Sequence, residues 1–307
     1  MMRYVVVHWM SVCLLGVIAL ADEGTLHTLK FHRFTKVGDR HRVSLVSAYK
    51  RESTYIMDGQ RGRTAQSLMG TELHGTKETL EVDQKGDPIR SRYTIGKCVT
   101  LRGAREDELL KPSQVLIVEA IKDGTRITLE GGALSESTEG ALRLVLKSRR
   151  GDTLTSDDYY GPGKPQPVGA TWPVNRVFLE SVRRWAPSLS PHDIQGSVTL
   201  AGLEDWEQIR CYNIRIDVEW SNLPFPAEAV IADGMKPRKV TRLSRQVRLI
   251  PVDLNLDSGS STLTDVHTYL QEGQRDGKAA AFEQKVTHIE EERCVLLRQV
   301  GDAVPTR

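Results

Sequence analysis

Hydrophobic positions recur at every second residue through most of the chain, the spacing of a half-buried β-strand rather than of a helix. Val43 and Leu45 share one face of a run over 42–50, and Tyr93, Ile95, Val99 and Leu101 alternate around a break at Gly96-Lys97. Residues 114–121 are almost continuously apolar. Lys122-Asp123-Gly124-Thr125 separates them from Ile127 and Leu129, which predicts a hairpin with Gly124 supplying a positive φ. Leu142, Leu144 and Leu146 predict a further strand over 142–147. In the second half, 197–202 is short and β-prone. The strongest alternation lies over 208–220, where Ile214, Ile216, Val218 and Trp220 interleave with Arg215, Asp217 and Glu219. Ile209 and Cys211 keep the opposite parity, which predicts a bulge near Tyr212-Asn213. Val247 and Leu249 continue the rhythm, and Val252, Leu254 and Leu256 carry it on, shifted, after Pro251.

Two segments depart from this rhythm or leave it ambiguous. Phe178, Leu179, Val182 and Trp185 share one helical face behind a capping Asn175. Residues 279–300 fit either a helix or a strand returning from an Asp276-Gly277 turn. The strand is preferred, because the run over 262–270 otherwise lacks a neighbour. Between the halves, residues 156–173 hold four prolines and three glycines, a density that neither a helix nor a central strand tolerates. A second loop of the same character spans 221–239. The expected fold is mainly β: a large antiparallel sheet, curved or two-lobed, with one or two short helices. The expected organisation is residues 22–155 as one β lobe, 156–173 as a connection and 174–307 as a second lobe, or one continuous domain.

The start of the chain adds a location. Arg3 precedes an apolar stretch that ends Ala19-Leu20-Ala21, followed by Asp22-Glu23. A positive start, an apolar centre and small residues at the A-x-A positions predict a signal peptide over 1–21, cleaved before Asp22. An uncleaved anchor is the competing reading, since the run approaches the ~20 residues of a membrane span. Cys13, inside the apolar centre, fits a lipoprotein site poorly. Cleavage leaves 286 residues of formal charge +1. With 42 basic against 40 acidic residues in the whole chain, the balance argues against a nucleic-acid partner. No second long apolar run follows, so no integral membrane segment is expected after cleavage, and the expected location is periplasmic or extracellular. Cys98, Cys211 and Cys294 would remain. They allow one bridge, for which Cys211–Cys294 is the pairing considered, or three buried thiols.

Short chemical motifs are scarce. No two histidines stand four apart and no Cys-x-x-Cys occurs, so neither a metal nor a cofactor is expected. Ser47-Ala48-Tyr49-Lys50 matches Ser-x-x-Lys in letters, but an alternating strand sends positions 47 and 50 to opposite faces. Gly161-Pro162-Gly163-Lys164 lacks the upstream glycine and following Ser/Thr of a phosphate loop. The carboxylates of Asp157-Asp158, Glu290–Glu292 and Asp265 read first as solvated charge. The aromatic residues Tyr159, Tyr160, Trp172 and Trp185 gather around the central loop and its helix, and are the candidate ligand-binding residues. The alternative is that Trp172 and Trp185 plug the sheet core.

The segment Pro167-Val168-Gly169-Ala170-Thr171-Trp172 in a loop, followed by Val198-Thr199-Leu200 and the strand over 209–220, resembles a style of secreted, β-rich bacterial protein of unassigned function. The resemblance implies location and fold style only. In architecture, a curved sheet around an apolar groove resembles the half-barrel carriers that ferry lipoproteins across a periplasm. Three functions therefore stand side by side. The first is an exported, non-enzymatic envelope or secreted protein binding an apolar ligand, with a lipid or a protein as partner. The second is an interaction scaffold with a packed core, and the third an enzyme with convergent polar side chains in one cleft.

Overall fold

A computed structural model describes residues 24–122, 124–148, 154–226, 231–275 and 277–297. The expected signal peptide and its cleavage site lie outside them. The described chain forms twelve strands and three α-helices. The first six strands are β1 (Arg40–Met57), β2 (Gln60–Val82), β3 (Pro88–Arg102), β4 (Arg105–Leu110), β5 (Val115–Ile121) and β6 (Gly124–Leu129). The helices α1 (Glu136–Val145) and α2 (Ser156–Tyr160), the short strand β7 (Thr171–Pro173) and α3 (Arg176–Trp185) follow. The chain closes with β8 (Ile194–Trp206), β9 (Ile209–Trp220), β10 (Met235–Pro251), β11 (Gly259–Arg275) and β12 (Lys278–Leu296).

All twelve strands belong to one open, curved antiparallel sheet in the order β6-β5-β3-β2-β1-β12-β11-β10-β9-β8-β7, with β4 paired to β3. The last strand therefore lies in the middle, hydrogen-bonded to β1 on one side and β11 on the other. That placement explains why 279–296 is extended: the pairing Thr262↔Glu291 supplies the neighbour that each run lacks alone. The break read at Gly96-Lys97 is a bulge, since His74 faces Lys97 while Gly75 faces Ile95. Gly75 passes so close to the Thr94 carbonyl that a Cβ there would collide with backbone. The bulge expected near Tyr212-Asn213 occurs at that level, but the register shifts between Leu200 and Gly202, so the extra residue sits on β8.

Three expectations fail locally. Residues 142–147 are not a strand, because α1 carries 136–145. The Ser135 hydroxyl caps it, accepting from the Thr138 amide at 3.1 Å, and Leu142 and Leu146, four residues apart, are both buried. The alternating leucines mimic a strand only because i and i+4 share parity with i and i+2. The second failure concerns 156–173, which contains α2 ahead of its first proline, Pro162, and the edge strand β7 at its end. The third concerns β10, which begins at Met235 inside the expected loop and ends at Pro251, so Val252, Leu254 and Leu256 extend no strand.

Two apolar clusters form beneath the helices on the concave face, and a third, smaller one of Ala232, Met235, Ala280 and Phe282 packs at one end of the central strands. Val43, Leu45, Leu73, Ile95, Cys98, Leu116 and Ile127 of the sheet pack beneath Leu142 and Leu146. Leu200, Ile214, Ile216 and Val218 pack beneath Val182 and Ala186, joined by Trp172 and by Leu29 and Phe31 of the entering chain. The helices thus cover the two ends of the sheet and leave its centre, β1-β12-β11-β10, beneath a cleft.

Candidate functional site

The strand register shows what faces that cleft. Side chains on one face of a pleated sheet line up across strands. Leu45 on β1 stands opposite Glu292, which stands opposite Ser261, which stands opposite Arg248. In the next rows, Ser47, Glu290, Leu263 and Gln246 align, and so do Tyr49, His288, Asp265 and Ser244. Both end clusters are apolar, one aliphatic and one mixed with aromatic rings, whereas the centre is largely ionisable and polar. Four adjoining cavities lie along it. Lys77 lines three of them, Gln246 and Leu263 join the second to the third, and Tyr159 joins the third to the fourth.

At one end the cleft is aromatic. Tyr159, Tyr160, Phe178 and Trp220, with Ile216, Val218 and Leu263, line a cavity of about 480 Å³, within the range of small-molecule sites. Asn175, expected as a helix cap, makes no side-chain capping bond. Its amide instead donates to the carbonyls of Asp158 at 2.8 Å and Gly161 at 3.1 Å, tying α2 to the start of α3. Asp157 accepts from the Phe31 amide at 2.7 Å, which fixes the other side of α2. The Trp172 indole N–H donates to the Tyr160 carbonyl at 2.8 Å. Of the four candidate aromatics, the structure therefore brings Tyr159 and Tyr160 to the cavity, while Trp172 is buried in the adjoining core and braces Tyr160 from behind. The Trp185 side chain lies outside the described residues. Burial pushes the Tyr160 hydroxyl above its ordinary pKa.

Toward the centre the floor is held by ion pairs. Arg242 makes a two-pronged contact with Asp265 at 2.8 and 2.5 Å while its guanidinium stacks 4.3 Å over Trp220. His267 lies 3.5 Å from the same carboxylate. Burial works to raise the Asp265 pKa, but the bonds from His267 and Arg242 outweigh it and hold the carboxyl low. Lys147, just past α1, pairs with Glu290. Tyr49 stacks on His288 at 4.1 Å. No short-range pattern signals this clustering, because its members come from segments up to 241 residues apart.

Ser47, His288 and Glu290 meet here in an arrangement with the letters of a hydrolytic triad. Its geometry forbids that role. The Ser47 hydroxyl is 3.0 Å from His288 Nε2, and the Glu290 carboxylate is 3.2 Å from the same nitrogen. A base must offer its lone pair to the serine and its other nitrogen to the acid, and here one atom faces both. Ser47 is also only 1 % exposed. Lys50 points to the other face, as the alternation requires, and pairs with Glu52 at 3.0 Å. Among the described residues no group of His, Cys, Asp and Glu is arranged to hold a metal ion.

The disulfide considered from the sequence does not form: Cys98, Cys211 and Cys294 are all free. Cys211 is on β9 and Cys294 on β12, with β10 and β11 between them. Three strand spacings amount to about 14 Å, twice what a bridge spans. Burial pushes the three thiols up, Cys98 and Cys294 to about 12 and Cys211 to about 11.

Comparison with known proteins places the chain in no family: no family model matches it and no curated protein does. Among solved structures, the outer membrane protein OprG from Pseudomonas aeruginosa aligns over 85% of this chain and 97% of its own, with 7% identity and a TM-score of 0.17. MucB in complex with MucA(peri) aligns over 80% and 88%, with 8% identity and a TM-score of 0.13. Scores this low define no shared fold. No helix among the described residues is long and apolar enough to cross a membrane.

Proposed function

We propose that this is an exported, non-enzymatic protein that holds a small, largely apolar ligand in the cleft on the concave face of its sheet. The observation that carries the reading is the gap between the helices. The sheet centre is left beneath adjoining cavities, one of them walled by Tyr159, Tyr160, Phe178 and Leu263. An interaction scaffold would instead fill that space with its own side chains. Export rests on the segment 1–21, and a periplasmic or extracellular location follows from it. The Ser47–His288–Glu290 cluster in the cleft lacks catalytic geometry, which favours binding over turnover there.

Native mass spectrometry of the protein recovered from its export route tests both parts. The expected species begins at Asp22 and carries extra mass that is lost on denaturation. A bare chain that also fails to bind any apolar probe would sink the binding reading. A chain retaining residues 1–21 would sink cleavage.

A further inference from the structure

Lys77 and Arg248 are cations of the cleft without an ion-pair partner among the described residues. Both line the cavity of about 320 Å³ that also holds Phe31, Asp257, Ser261, Glu292 and Cys294. They reach it from opposite sides, Lys77 from β2 and Arg248 from β10. Neither forms a side-chain hydrogen bond or an ion pair with any described residue; each feels its neighbours only through space. Arg33, which lines the same cavity, donates to the Pro251 carbonyl at 2.6 Å rather than to a carboxylate. Two of the carboxylates nearby are otherwise engaged, and Glu292 acts on Lys77 and Arg248 only through space. Asp257 accepts from the Thr35 hydroxyl at 2.6 Å and lies 3.4 Å from His41. Asp157 is taken by the Phe31 amide. Glu292 is exposed at the cleft wall. The Arg248 guanidinium has only the Phe31 ring, 6.0 Å away.

Lys77 and Arg248 are both half-buried, and drawing a cation even partly out of water without a paired counter-charge is costly; elsewhere the same cleft supplies one: Arg242 has Asp265 and Lys147 has Glu290. Two unmatched cations facing one cavity form a site that an anionic group would complete. Lys77, Ser261 and Glu292 also line the next cavity, which Gln246 and Leu263 join to the aromatic one. A polar end that carries these unpaired cations and an apolar end thus lie in adjoining cavities that share lining residues.

From this juxtaposition we infer that the ligand is an anionic amphiphile, with its carboxylate or phosphate between Lys77 and Arg248 and its apolar body against Tyr159, Tyr160, Phe178 and Leu263. The inference rests on the cleft-binding reading and adds the class of ligand to it. Glu292 gives it an internal control. This carboxylate borders the same cavity, so removing its charge strengthens the hold on an anion while removing either cation weakens it.

The test is calorimetric titration of the full mature protein with dodecanoate, dodecyl phosphate, dodecanol and inorganic phosphate, each below any micelle point. Dodecanoate and dodecyl phosphate are expected to bind, dodecanol about tenfold or more weaker, and inorganic phosphate weaker still. Lys77→Gln and Arg248→Gln each lower dodecanoate affinity by about tenfold and leave dodecanol unchanged, Arg248→Lys restores part of the loss, and Glu292→Gln tightens dodecanoate by about two- to threefold. Circular dichroism confirms that each variant is folded, and the opposite signs of Lys77→Gln and Glu292→Gln separate recognition from general damage. Equal affinity for dodecanol and dodecanoate, unmoved by the charge variants, overturns the anionic head group and leaves the cleft-binding reading intact. Phosphate binding as tightly as dodecyl phosphate overturns the amphiphile and points to a free anion. Binding of none of the four overturns the inference together with the reading beneath it.

Discussion

At the scale of single residues, the cleft floor depends on charges that are matched side chain by side chain. Asp265 is 5 % exposed and serves both Arg242 and His267. Asp265→Asn leaves Arg242 without its counter-charge. The expected cost is about 2–3 kcal/mol by chemical denaturation, below the ~3–5 of a fully buried pair because Arg242 keeps some contact with water. The pH dependence has a definite sign. Asp265 and Asp257 are both held below the ordinary aspartate range. Their contribution is therefore complete above about pH 4 and is lost as the pH falls through their native values. Below that point the gap between wild type and Asp265→Asn narrows; a constant gap down to pH 2 would contradict the assignment. The thiols give a second residue-scale expectation. With pKa values of about 11–12, well under one per cent of each is thiolate at pH 8. A thiol reagent should label the native protein negligibly and, once unfolded, three groups per mature chain. Rapid native labelling would show the buried thiols to be open, and a fourth group would show that Cys13 is retained.

At the scale of elements, α1 is where pattern and structure part. If 136–145 is helical, Ser135→Ala removes the bond to the Thr138 amide and costs about 1 kcal/mol. If the leucines were a strand, the same change in an exposed serine would fall within about ±0.5 kcal/mol. Thermal unfolding of the one variant separates the two. The helix matters to the site because it covers one end of the concave face and ends just before Lys147, whose ammonium reaches Glu290 in the cleft. On the other side, α2 is only five residues long, too short to persist alone. Asn175, Phe31 and Trp172 hold it in place, and this is why a segment dense in proline still presents two tyrosines in fixed positions.

For the whole molecule, the decisive pairing is β1 with β12, which joins His41 to Leu296 across most of the chain. Because β12 lies between β1 and β11, the two end clusters share one hydrogen-bonded sheet. Loss of either half strips the central strands of a neighbour, so we expect both to unfold together. Every tryptophan of the described residues lies between residues 172 and 220, so their fluorescence reports the second half alone, whereas far-ultraviolet circular dichroism reports the whole sheet. Coincident denaturation curves are expected; fluorescence that leaves early or late would show two independently folding lobes instead. Pairing of such distant segments also implies slow refolding, in the millisecond-to-second range or beyond.

The sequence by itself determined what short-range periodicity can encode. Alternation along 208–220 and 42–50 specified strands because a half-buried sheet demands it, Gly96-Lys97 marked a break in the rhythm that the strand register resolves as a bulge, and the spacing of Phe178, Leu179 and Val182 specified a helix. The local crowding of aromatics also drew attention to Tyr159, Tyr160, Trp172 and Trp185, of which the fold brings Tyr159 and Tyr160 to a cavity. Only the tertiary structure decided the rest. Leu142 and Leu146 fit either period, and packing on Leu73 and Ile127 selected the helix. Cys211 and Cys294 were separated by two strands that no spacing could foretell. Lys77 and Arg248 look like any surface cations in the linear chain. They face one cavity because β12 returns to the centre of the sheet and brings β2 and β10 to opposite sides of the same cleft, a consequence of strand order, which residue-by-residue alternation does not contain.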